Sequence, residues 1–506
     1  MRLRAAIEAP GPRGLALLVA AALVTRASSF AVPFYSGDEA TYSALAVRIL
    51  SGALPYAGAV DHKPVGMELT YALVYALVGR YRLLFVRALL VLVVAATGAA
   101  VAKTAELLDG RAESRWAGFA YVVASAVGIP GDMLAANTEL FLNLPLTLAA
   151  LLTALALRRP GVPSRRWDAL RLLLAGALTA LATTYKYQAA LGGAAWALAV
   201  FTDGGGARRV ALRLVALAAG FLVLALPYLA FFHRPGLWDP FLFWGWNFNF
   251  AYMGTLSLRE MAQNGALYTL LIAAFWAPLV ASAALARRPS RLAVLWLSAM
   301  GISILAGGRF FPHYYLMALP PLSVLAAKGA SEIARHRRWS AILGTLGAVA
   351  FAGSMGAAWF WYSLKPRLKE YHAAYSAVGD YVRYSTVADE RIFVWGNSPE
   401  IYYLSNRVMG TRFPFCNYHT GKIWGSPFDE PDAVGTEAHI VGRAFSELME
   451  DLARSPPRLI IDGGAGKLDR WERHPIARYP ELARLIAARY RLDATVAGVP
   501  IFRRVD

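Results

Sequence analysis

Residues 14–39 read GLALLVAAALVTRASSFAVPFYSGDE, an apolar run that leads into the acidic pair Asp38-Glu39. The apolar part, 14–32, is close to the roughly 20 residues that an α-helix needs to cross the hydrocarbon core of a bilayer. Carboxylates directly beside such a run are costly unless they have a function. The stretch therefore predicts a first membrane helix that is followed by a polar site at the membrane surface.

The whole chain has the composition of a polytopic membrane protein. Of its 506 residues, 57% are hydrophobic and 17% are charged, whereas about a quarter are charged in ordinary soluble domains. Further apolar runs of membrane-spanning length follow the first. Because many spans follow and no small-residue cleavage site precedes Asp38, we interpret 14–32 as an uncleaved helix and not as a signal peptide.

The net charge of +18 would by itself permit a nucleic-acid partner. The basic residues lie instead in short loops between apolar runs, which is the positive-inside pattern of membrane proteins. We therefore expect no nucleic-acid partner. The loops assigned to the cytoplasm carry Lys103, Arg111, Arg115, Arg158, Arg159, Arg165, Arg166, Arg208, Arg209, Arg287, Arg288, Arg291, Arg335, Arg337 and Arg338.

The alternation of these basic loops predicts eleven spans. They are 14–32, 83–102, 116–131, 140–157, 169–184, 187–201, 210–232, 265–285, 292–307, 310–327 and 341–362. The apolar segment 67–78 has only 12 residues, so we interpret it as an interfacial or re-entrant helix. Counting it as a span would invert every later loop and would place most of the arginines outside.

After Tyr362 the pattern changes to mixed polar and apolar residues. We predict a transmembrane domain at 1–362 and a small extracytoplasmic α/β domain at 363–506. The predicted strands are 391–395, 458–461 and 499–502, and the predicted helices are 366–384, 445–453 and 480–490.

Several familiar sites are not expected. Cys416 is the only cysteine, so neither an intrachain disulfide nor a cysteine metal cluster is expected. The string GGAGK at 463–467 lacks the spacing of a phosphate-binding loop and is interpreted as a turn after a strand. The eight histidines are scattered, so a built-in zinc site is not expected either.

The loops assigned to the outer face carry most of the unusual polar side chains. They include Asp38, Glu39, Asp61, His62, Lys63, Asp132, Asn137, Glu139, Lys186, Asn249, Arg309 and His313. We expect these loops to converge on one cavity at the membrane surface. Basic groups among acids suit a substrate that is part lipid and part polar and that carries phosphate.

Each residue also has an ordinary structural interpretation. Asp38 and Glu39 precede a helical stretch at 40–50, where carboxylates cap free N–H groups and favour the helix dipole. Glu139 can likewise cap a helix, and Lys186 can pair with an acid only to stabilise packing.

The basic and aromatic side chains can instead be membrane anchors. Basic residues that can reach water at the interface in this way are Arg26, Lys63, Arg87, Arg309 and His313. Trp244 and Trp246 are interpreted as part of an interfacial aromatic belt.

At these positions the chain resembles bacterial membrane glycosyltransferases of the GT-C fold, in the branch related to protein O-mannosyltransferases and lipid A aminoarabinose transferases. The matching strings, in chain order, are Gly37-Asp38-Glu39, Asp61-His62-Lys63-Pro64, Asn137-Thr138-Glu139, the run 308–314 (GRFFPHY), the run 393–399 (FVWGNSP), Ile401-Tyr402-Tyr403 and Arg412-Phe413. One departure is Val65, where relatives often have a second proline after Pro64.

The resemblance implies a sugar donor on polyprenyl phosphate, an acceptor outside the cytoplasm and a multi-pass protein of the inner membrane. It implies that Asp38 is the general base, that Glu39 orients it, and that Lys63 stabilises the leaving phosphate. Arg309 and His313 are the next candidates for contact with the donor phosphate. The candidates for substrate binding are Glu139, Asn137, Lys186 and His62. A divalent cation, Mg or Mn, held by Asp38, Glu39 and Glu139 is also consistent with it.

Three other functions are left open by the residues alone. A transporter or lipid flippase would also be polytopic, although charged residues within the spans are scarce and no inverted repeat is visible. An oligosaccharide ligase would use a similar outer site with larger donors. A catalytically inactive scaffold would keep the fold without the chemistry.

Overall fold

The computed structural model describes residues 11–157, 165–204 and 206–505. Most of them are helical, as expected for apolar segments that must pair every backbone N–H and C=O within the chain itself. The predicted cytoplasmic residues Arg158 and Arg159 lie outside the described residues.

The helices are numbered in the order in which they occur along the chain. They are α1 (Pro12–Thr25), α2 (Gly37–Leu50), α3 (Gly66–Val78), α4 (Leu83–Asp109), α5 (Trp116–Ala124), α6 (Pro130–Met133), α7 (Thr138–Leu157), α8 (Arg165–Thr183), α9 (Leu191–Thr202), α10 (Ala207–Phe232), α11 (Trp238–Pro240), α12 (Phe248–Met253), α13 (Leu258–Phe275), α14 (Ala277–Ala284), α15 (Arg291–Ala306), α16 (Leu319–Arg335), α17 (Arg337–Trp359), α18 (Trp361–Leu364), α19 (Pro366–Ser385), α20 (Glu400–Ser405), α21 (Asn417–Thr420), α22 (Gly442–Arg454) and α23 (Pro480–Arg489). Short 3₁₀ segments occur at Ala27–Phe30, Ala112–Arg115, Tyr187–Ala190, Pro312–Ala318, Pro427–Asp429, Thr436–His439, Leu468–Arg470 and Ile476–Arg478, and Phe241–Asn247 is a π-helical turn.

Within the described ranges, four helices are long and apolar enough to cross a membrane, namely α4, α7, α10 and α17. The bent pair α13 and α14 gives a fifth if it forms one span, and α1, α3 and α15 are shorter apolar helices. In α10 and α17 only 11% of the apolar window is buried in the protein, so their apolar side chains remain available for lipid. The number of eleven spans stays a prediction.

The predicted span 265–285 is not one straight helix. Helices α13 and α14 meet at Trp276 with a bend of 92°. Pro278 explains the break, because it lacks an N–H and crowds the backbone that precedes it. The indole Nε1 of Trp276 donates to the carbonyl oxygens of Ala124 and Val127, both at 3.1 Å, which anchors the corner.

Arg26 and Arg87 do not reach water, contrary to their interpretation as snorkelling anchors. Both side chains are buried. Arg87 Nη1 donates to the carbonyl oxygens of Ser29 and, at 2.7 Å, of Val32, where the 3₁₀ segment Ala27–Phe30 that follows α1 ends. The buried guanidinium thus satisfies carbonyl groups that the end of a helix leaves without intrahelical partners.

By packing, the chain divides into two compact units. Unit 1 comprises the residues up to Tyr35, Val86–His233 and Leu258–Phe360, and unit 2 comprises Ser36–Phe85, Arg234–Ser257 and Trp361–Asp506. Unit 2 therefore joins the first predicted outer loop to the C-terminal region. The predicted functional boundary between 1–362 and 363–506 stays a prediction.

Unit 2 contains a five-stranded sheet in the order β2-β1-β3-β5-β4. The strands are β1 (Arg391–Trp395), β2 (Val408–Met409), β3 (Leu459–Asp462), β4 (Tyr490–Val496) and β5 (Val499–Arg504). Strand β1 is parallel to β2 and β3, whereas β5 is antiparallel to β3 and β4. The two central parallel strands are almost wholly buried, as expected for strands that are covered on both faces.

The prediction of an α/β C-terminal region is confirmed. Three of the strands and the helices α19, α22 and α23 coincide closely with the predicted segments. Strands β2 and β4 were missed. Strand β2 has only two residues, and β4 continues directly from α23 and carries exposed charged residues, so neither has the apolar pattern of a buried strand.

Close helix packing in unit 1 depends on glycine. A Cβ atom at Gly220 of α10 would lie 1.8 Å from the carbonyl oxygen of Leu173 in α8, and one at Gly176 would lie 2.0 Å from that of Leu217. Backbones can approach this closely only where side chains are absent.

We predict that Gly220→Ala destabilises the protein by about 2 kcal/mol, because the added methyl group must push α8 and α10 apart. Gly344→Ala is the matched control, since a Cβ atom there meets nothing within 4 Å. Thermal unfolding of the two purified variants in detergent measures the difference. Equal unfolding midpoints would contradict the close approach of the two helices.

Candidate active site

The acidic pair lies at the start of a helix, as its interpretation as a cap requires. Helix α2 begins at Gly37, and the Oγ of Ser36 accepts a hydrogen bond from the backbone N–H of Asp38 at 3.2 Å. Glu39 is fully buried. Ser36 therefore caps the helix, and the Asp38 carboxylate is left for another partner.

That partner is Lys63. Its Nζ lies 2.9 Å from Asp38 Oδ1 and donates to the hydroxyl of Tyr42 at 3.0 Å. The side chains of Lys63 and Asp38 are 29% and 33% exposed, so the pair remains open to a ligand. The structure thus brings the predicted base and the predicted phosphate ligand into direct contact.

Tyr42 was missed by the sequence analysis. It lies four residues after Asp38 in α2, and residues at this spacing share one helix face. Its ring also lies under the ammonium group of Lys63, with 4.8 Å between Nζ and the ring centroid. The i, i+4 spacing was the signal that could have identified it.

The loop that carries Lys63 is held by its neighbours. Asp61 Oδ1 accepts from the backbone N–H of His62 at 2.7 Å and lies 3.0 Å from His62 Nδ1. Asn249 Nδ2 donates to the carbonyl oxygen of His62 at 2.8 Å, and the hydroxyl of Tyr56 donates to that of Lys63 at 2.9 Å. These contacts position the lysine side chain.

His62 is itself mostly buried. Its ring stacks on Trp424 and lies close to Tyr252, and its Nδ1 is 3.2 Å from the hydroxyl of Tyr418. These contacts hold the ring within the protein. Its role in binding substrate stays a prediction.

The charges around Lys63 affect one another. Burial alone would lower the pKa of Lys63, but the carboxylates of Asp38 and Asp61 and the Tyr42 hydroxyl raise it well above its ordinary value. Burial alone would raise the pKa of Asp61, but the hydrogen bond and charge of His62 and the charge of Lys63 lower it to about 2. Lys63 is therefore charged throughout the physiological pH range.

Unit 1 contains a second cluster of predicted site residues. Lys186 Nζ lies 2.6 Å from Glu139 Oε1 and 3.2 Å from the centre of the Tyr314 ring. His313 Nδ1 lies 2.7 Å from Asp132 Oδ1. The side chains of Glu139 and Lys186 are 3% and 12% exposed, so this ion pair is much less accessible than the pair in unit 2.

Two further predicted residues of unit 1 are also buried. Asn137 is 2% exposed, and its Oδ1 has no hydrogen-bond partner among the described residues. Arg309 is 1% exposed and lies between Gly308 and Phe310, both of which have left-handed backbone. Such a conformation is strained for phenylalanine, and strain of this kind often marks functional loops. The expectation that all the predicted residues line one cavity stays a prediction.

A metal site was tested against the same geometry. Across residues 11–157, 165–204 and 206–505, no group of three or more His, Cys, Asp or Glu side chains is arranged to hold a metal ion. We assign no reaction step to a metal ion. A dependence on Mg or Mn stays a prediction.

Comparison with solved structures identifies the fold. The chain is similar to ArnT from Cupriavidus metallidurans bound to undecaprenyl phosphate, with a TM-score of 0.62 over 97% of this chain and 98% of that one. The chain has the GT-C fold. The sequence identity is 12%, so this similarity shows the fold alone.

Two other comparisons are weaker. The apo state of the same ArnT gives a TM-score of 0.50 at 12% identity, over 92% of this chain and 93% of that one. An oligosaccharyltransferase from Archaeoglobus fulgidus gives 0.45 at 13% identity, over 97% of this chain and 74% of that one, which is too low to support an argument. No family model and no curated protein matches the sequence.

The lowered pKa of Asp61 predicts a pH-dependent stability. Because the pKa of Asp61 in the folded state lies below its ordinary value, the ionised carboxylate stabilises the folded protein. This stabilisation is complete above about pH 5 and is lost as the pH falls. We expect Asp61→Asn to cost about 2 kcal/mol at pH 7, and about half of that difference to be gone at pH 3.

Chemical unfolding of both proteins between pH 7 and pH 3 measures this difference. The exposed Asp389 provides the control, since Asp389→Asn should change little at either pH. A difference between wild type and Asp61→Asn that stays constant down to pH 3 would show that His62 and Lys63 do not stabilise the ionised carboxylate.

Proposed function

We propose that this protein is an integral membrane glycosyltransferase that moves a sugar, a hexose or a pentose, from a polyprenyl-phosphate carrier to an extracytoplasmic glycan, lipid or protein. The observation that carries the proposal is the 2.9 Å contact between Lys63 Nζ and Asp38 Oδ1. It places a cation that can bind phosphate beside a carboxylate that can act as a base, in one partly exposed site. The fold shared with ArnT, whose structure contains undecaprenyl phosphate, supports a lipid-linked donor.

The proposed reaction is a direct displacement. The hydroxyl oxygen of the acceptor attacks the anomeric carbon of the sugar, and the bond from that carbon to the phosphate oxygen breaks. Asp38 takes the hydroxyl proton as general base. The polyprenyl phosphate leaves with the bonding electrons, and Lys63 stabilises the charge that develops on it. Attack from the side opposite the phosphate inverts the configuration at the sugar carbon.

The ion pair implies an order of events. While Lys63 Nζ donates to Asp38 Oδ1, that carboxylate oxygen is occupied and is not available to the hydroxyl of an acceptor. Donor phosphate competes with Asp38 for Lys63 Nζ, and its binding releases the carboxylate. Asp38 is therefore free to act as a base only when a donor is bound. This disfavours removal of the acceptor proton when no sugar can be transferred.

The other site residues have supporting roles in this proposal. Glu39, buried in the first turn of α2, orients Asp38, and Tyr42 holds the ammonium group of Lys63. Arg309 and His313 are assigned to the donor phosphate. Residues assigned to the remainder of donor and acceptor are Glu139, Asn137, Lys186 and His62.

The site also implies a cellular location. A lipid-linked sugar and a base at the membrane surface fit a multi-pass protein of the inner membrane, with the acidic loop and the region 363–506 on the extracytoplasmic side. That region covers the site or selects the acceptor.

A transporter or lipid flippase is the alternative. It has less support, because the partly open carboxylate–ammonium pair has a role in group transfer and the fold is that of ArnT. A transporter would accumulate substrate in proteoliposomes without a covalent product.

We predict that Asp38→Asn lowers the turnover number about 10²- to 10⁴-fold, because the amide cannot accept the acceptor proton. Mass spectrometry of envelope glycans and glycolipids from cells that carry the wild type, no protein or the variant measures the product. Asp389→Asn, an exposed acid in the same unit, should behave as wild type. Full product formation by Asp38→Asn would exclude Asp38 as the base.

We predict that Lys63→Ala weakens binding of undecaprenyl phosphate about 10- to 100-fold, because a charge-assisted hydrogen bond to phosphate is lost. Native mass spectrometry of the purified protein with undecaprenyl phosphate measures the affinity. Lys369→Ala, which removes an exposed lysine of the same unit, is the control. Equal affinities of wild type and Lys63→Ala would remove Lys63 from the donor site.

A further inference from the structure

The strand order of the C-terminal sheet of unit 2 marks a second place for a ligand, which the proposed reaction does not use. Strand β1 lies between the parallel strands β2 and β3. The chain leaves β1 toward β2, whereas it leaves β3 toward β5 and β4. Two adjacent loops that diverge in this way leave a crevice beyond the carboxyl ends of the strands, where open α/β sheets bind their ligands.

The loop after β1 and the loop after β3 approach each other at two glycines. Gly396, directly after β1, has φ of 143°, and a Cβ atom at Gly463, directly after β3, would lie 2.8 Å from the carbonyl oxygen of Trp395. Neither position accommodates an ordinary side chain. The floor of the crevice is therefore backbone, and its polar groups come from the residues that follow.

Those residues place a set of polar groups at the crevice. Asn397 Nδ2 donates to Asp469 Oδ2 across the two loops. Glu400 interacts electrostatically with Asp469, and Asp469 interacts with the buried Lys422. The side chains of Asn397, Glu400 and Asp469 each keep some exposed surface, although the Oε2 atom of Glu400 is itself buried.

A further polar atom at the crevice lacks a partner. Among the described residues, the buried Oε2 atom of Glu400 has no hydrogen-bond partner. The neighbouring Ser398 side chain has no exposed surface, and its hydroxyl interacts with that of Tyr375. Buried polar atoms are rarely left unpaired without a reason.

The crevice adjoins the proposed catalytic base. Helix α20, which begins at Glu400, packs against α2, and Glu400 Oε1 lies 3.6 Å from the position of a Cβ atom at Gly37. Gly37 directly precedes Asp38. The side chain of Asp38 thus contacts Lys63, and the preceding residue, Gly37, lies beside Glu400 of the crevice.

The groups in the crevice suit hydroxyl ligands. Burial and the charge of Asp469 raise the pKa of Glu400 to about 8. Burial raises the pKa of Asp469 to about 7 despite its hydrogen bond from Asn397. At neutral pH these carboxyl groups are protonated for much of the time and can both donate and accept hydrogen bonds. Sugar hydroxyls, which also donate and accept, complement such groups.

We infer that the crevice beyond β1 and β3 binds the acceptor through sugar hydroxyls, with Asn397, Glu400 and Asp469 as its ligands, and presents one hydroxyl to Asp38. The inference rests on the proposed function for the identity of the acceptor. It makes the acceptor a carbohydrate-bearing molecule. It also gives a reason for the run 393–399 (FVWGNSP) and the acidic loop to belong to the same packing unit.

Sugar binding by the full-length protein in detergent tests this inference. The probes are free glucose, galactose, mannose, rhamnose and N-acetylglucosamine, observed by saturation-transfer difference NMR. We expect at least one of them to bind, and Asn397→Ala and Glu400→Ala each to weaken it about fivefold through the loss of one hydrogen bond. Glu400→Gln should retain binding, because its amide still donates and accepts.

Two controls separate this inference from the proposed function. Asp432→Ala removes an exposed acid of unit 2 and should leave sugar binding unchanged. Undecaprenyl phosphate binding, measured on the same samples, should be unchanged in Asn397→Ala and about 10- to 100-fold weaker in Lys63→Ala.

The outcomes are distinct. The crevice inference is wrong if none of the sugars binds to wild-type protein that still binds undecaprenyl phosphate, or if Asn397→Ala binds sugar as tightly as wild type. Sugar binding that depends on Asn397, in a protein that does not bind undecaprenyl phosphate, would support the crevice and contradict the lipid-linked donor.

Discussion

The contact between Lys63 and Asp38 depends on two segments that hold it from opposite sides. Half-exposed ion pairs contribute little to stability by themselves, so this pair persists in one geometry only because its surroundings are rigid. Ser36 caps the helix that carries Asp38. Asp61 and Asn249 hold the loop that carries Lys63. The result is a site that is preorganised yet open, as catalysis on a developing charge requires.

The apolar part of the chain is subject to a different constraint. In a bilayer every backbone group needs a partner within the protein, and the breaks in the apolar helices are satisfied by specific side chains. Arg87 binds carbonyl oxygens at the end of the 3₁₀ segment that follows α1, and Trp276 binds those of Ala124 and Val127 at the bend of 92°. These side chains therefore stabilise breaks in the helices at places where the hydropathy pattern alone predicts continuous spans.

The C-terminal region contributes more than a cover. Unit 2 joins the segment Ser36–Phe85 with Trp361–Asp506, so the acidic loop packs with the sheet and not only with its neighbours in sequence. Glu400, which follows β1 in the chain, thereby comes next to Gly37. A donor site at Lys63 and an acceptor crevice at Asn397 would then flank one base, which is the arrangement that a displacement between two substrates needs.

Much of the fold could be predicted from the sequence, because it depends on local patterns of apolar and polar residues. Apolar runs, a short segment at 67–78, and alternating strands and helices after 363 depend on the properties of neighbouring residues, and the structure has α3 as a 13-residue helix and three of the predicted strands. The presence of Asp38 and Lys63 in one polar site was also expected, since both belong to the first predicted outer loop.

Other features depended on contacts between residues that are distant in sequence. Glu400 carries no local signal that distinguishes it from an ordinary helix residue, and Arg87 was assigned to water although it binds backbone carbonyls. The sequence by itself determined a membrane protein with polar loops and an α/β tail, because composition and periodicity decide which segments can be buried in lipid. Only the tertiary structure decided which of the polar side chains meet, because burial and charge pairing arise when separate segments pack together.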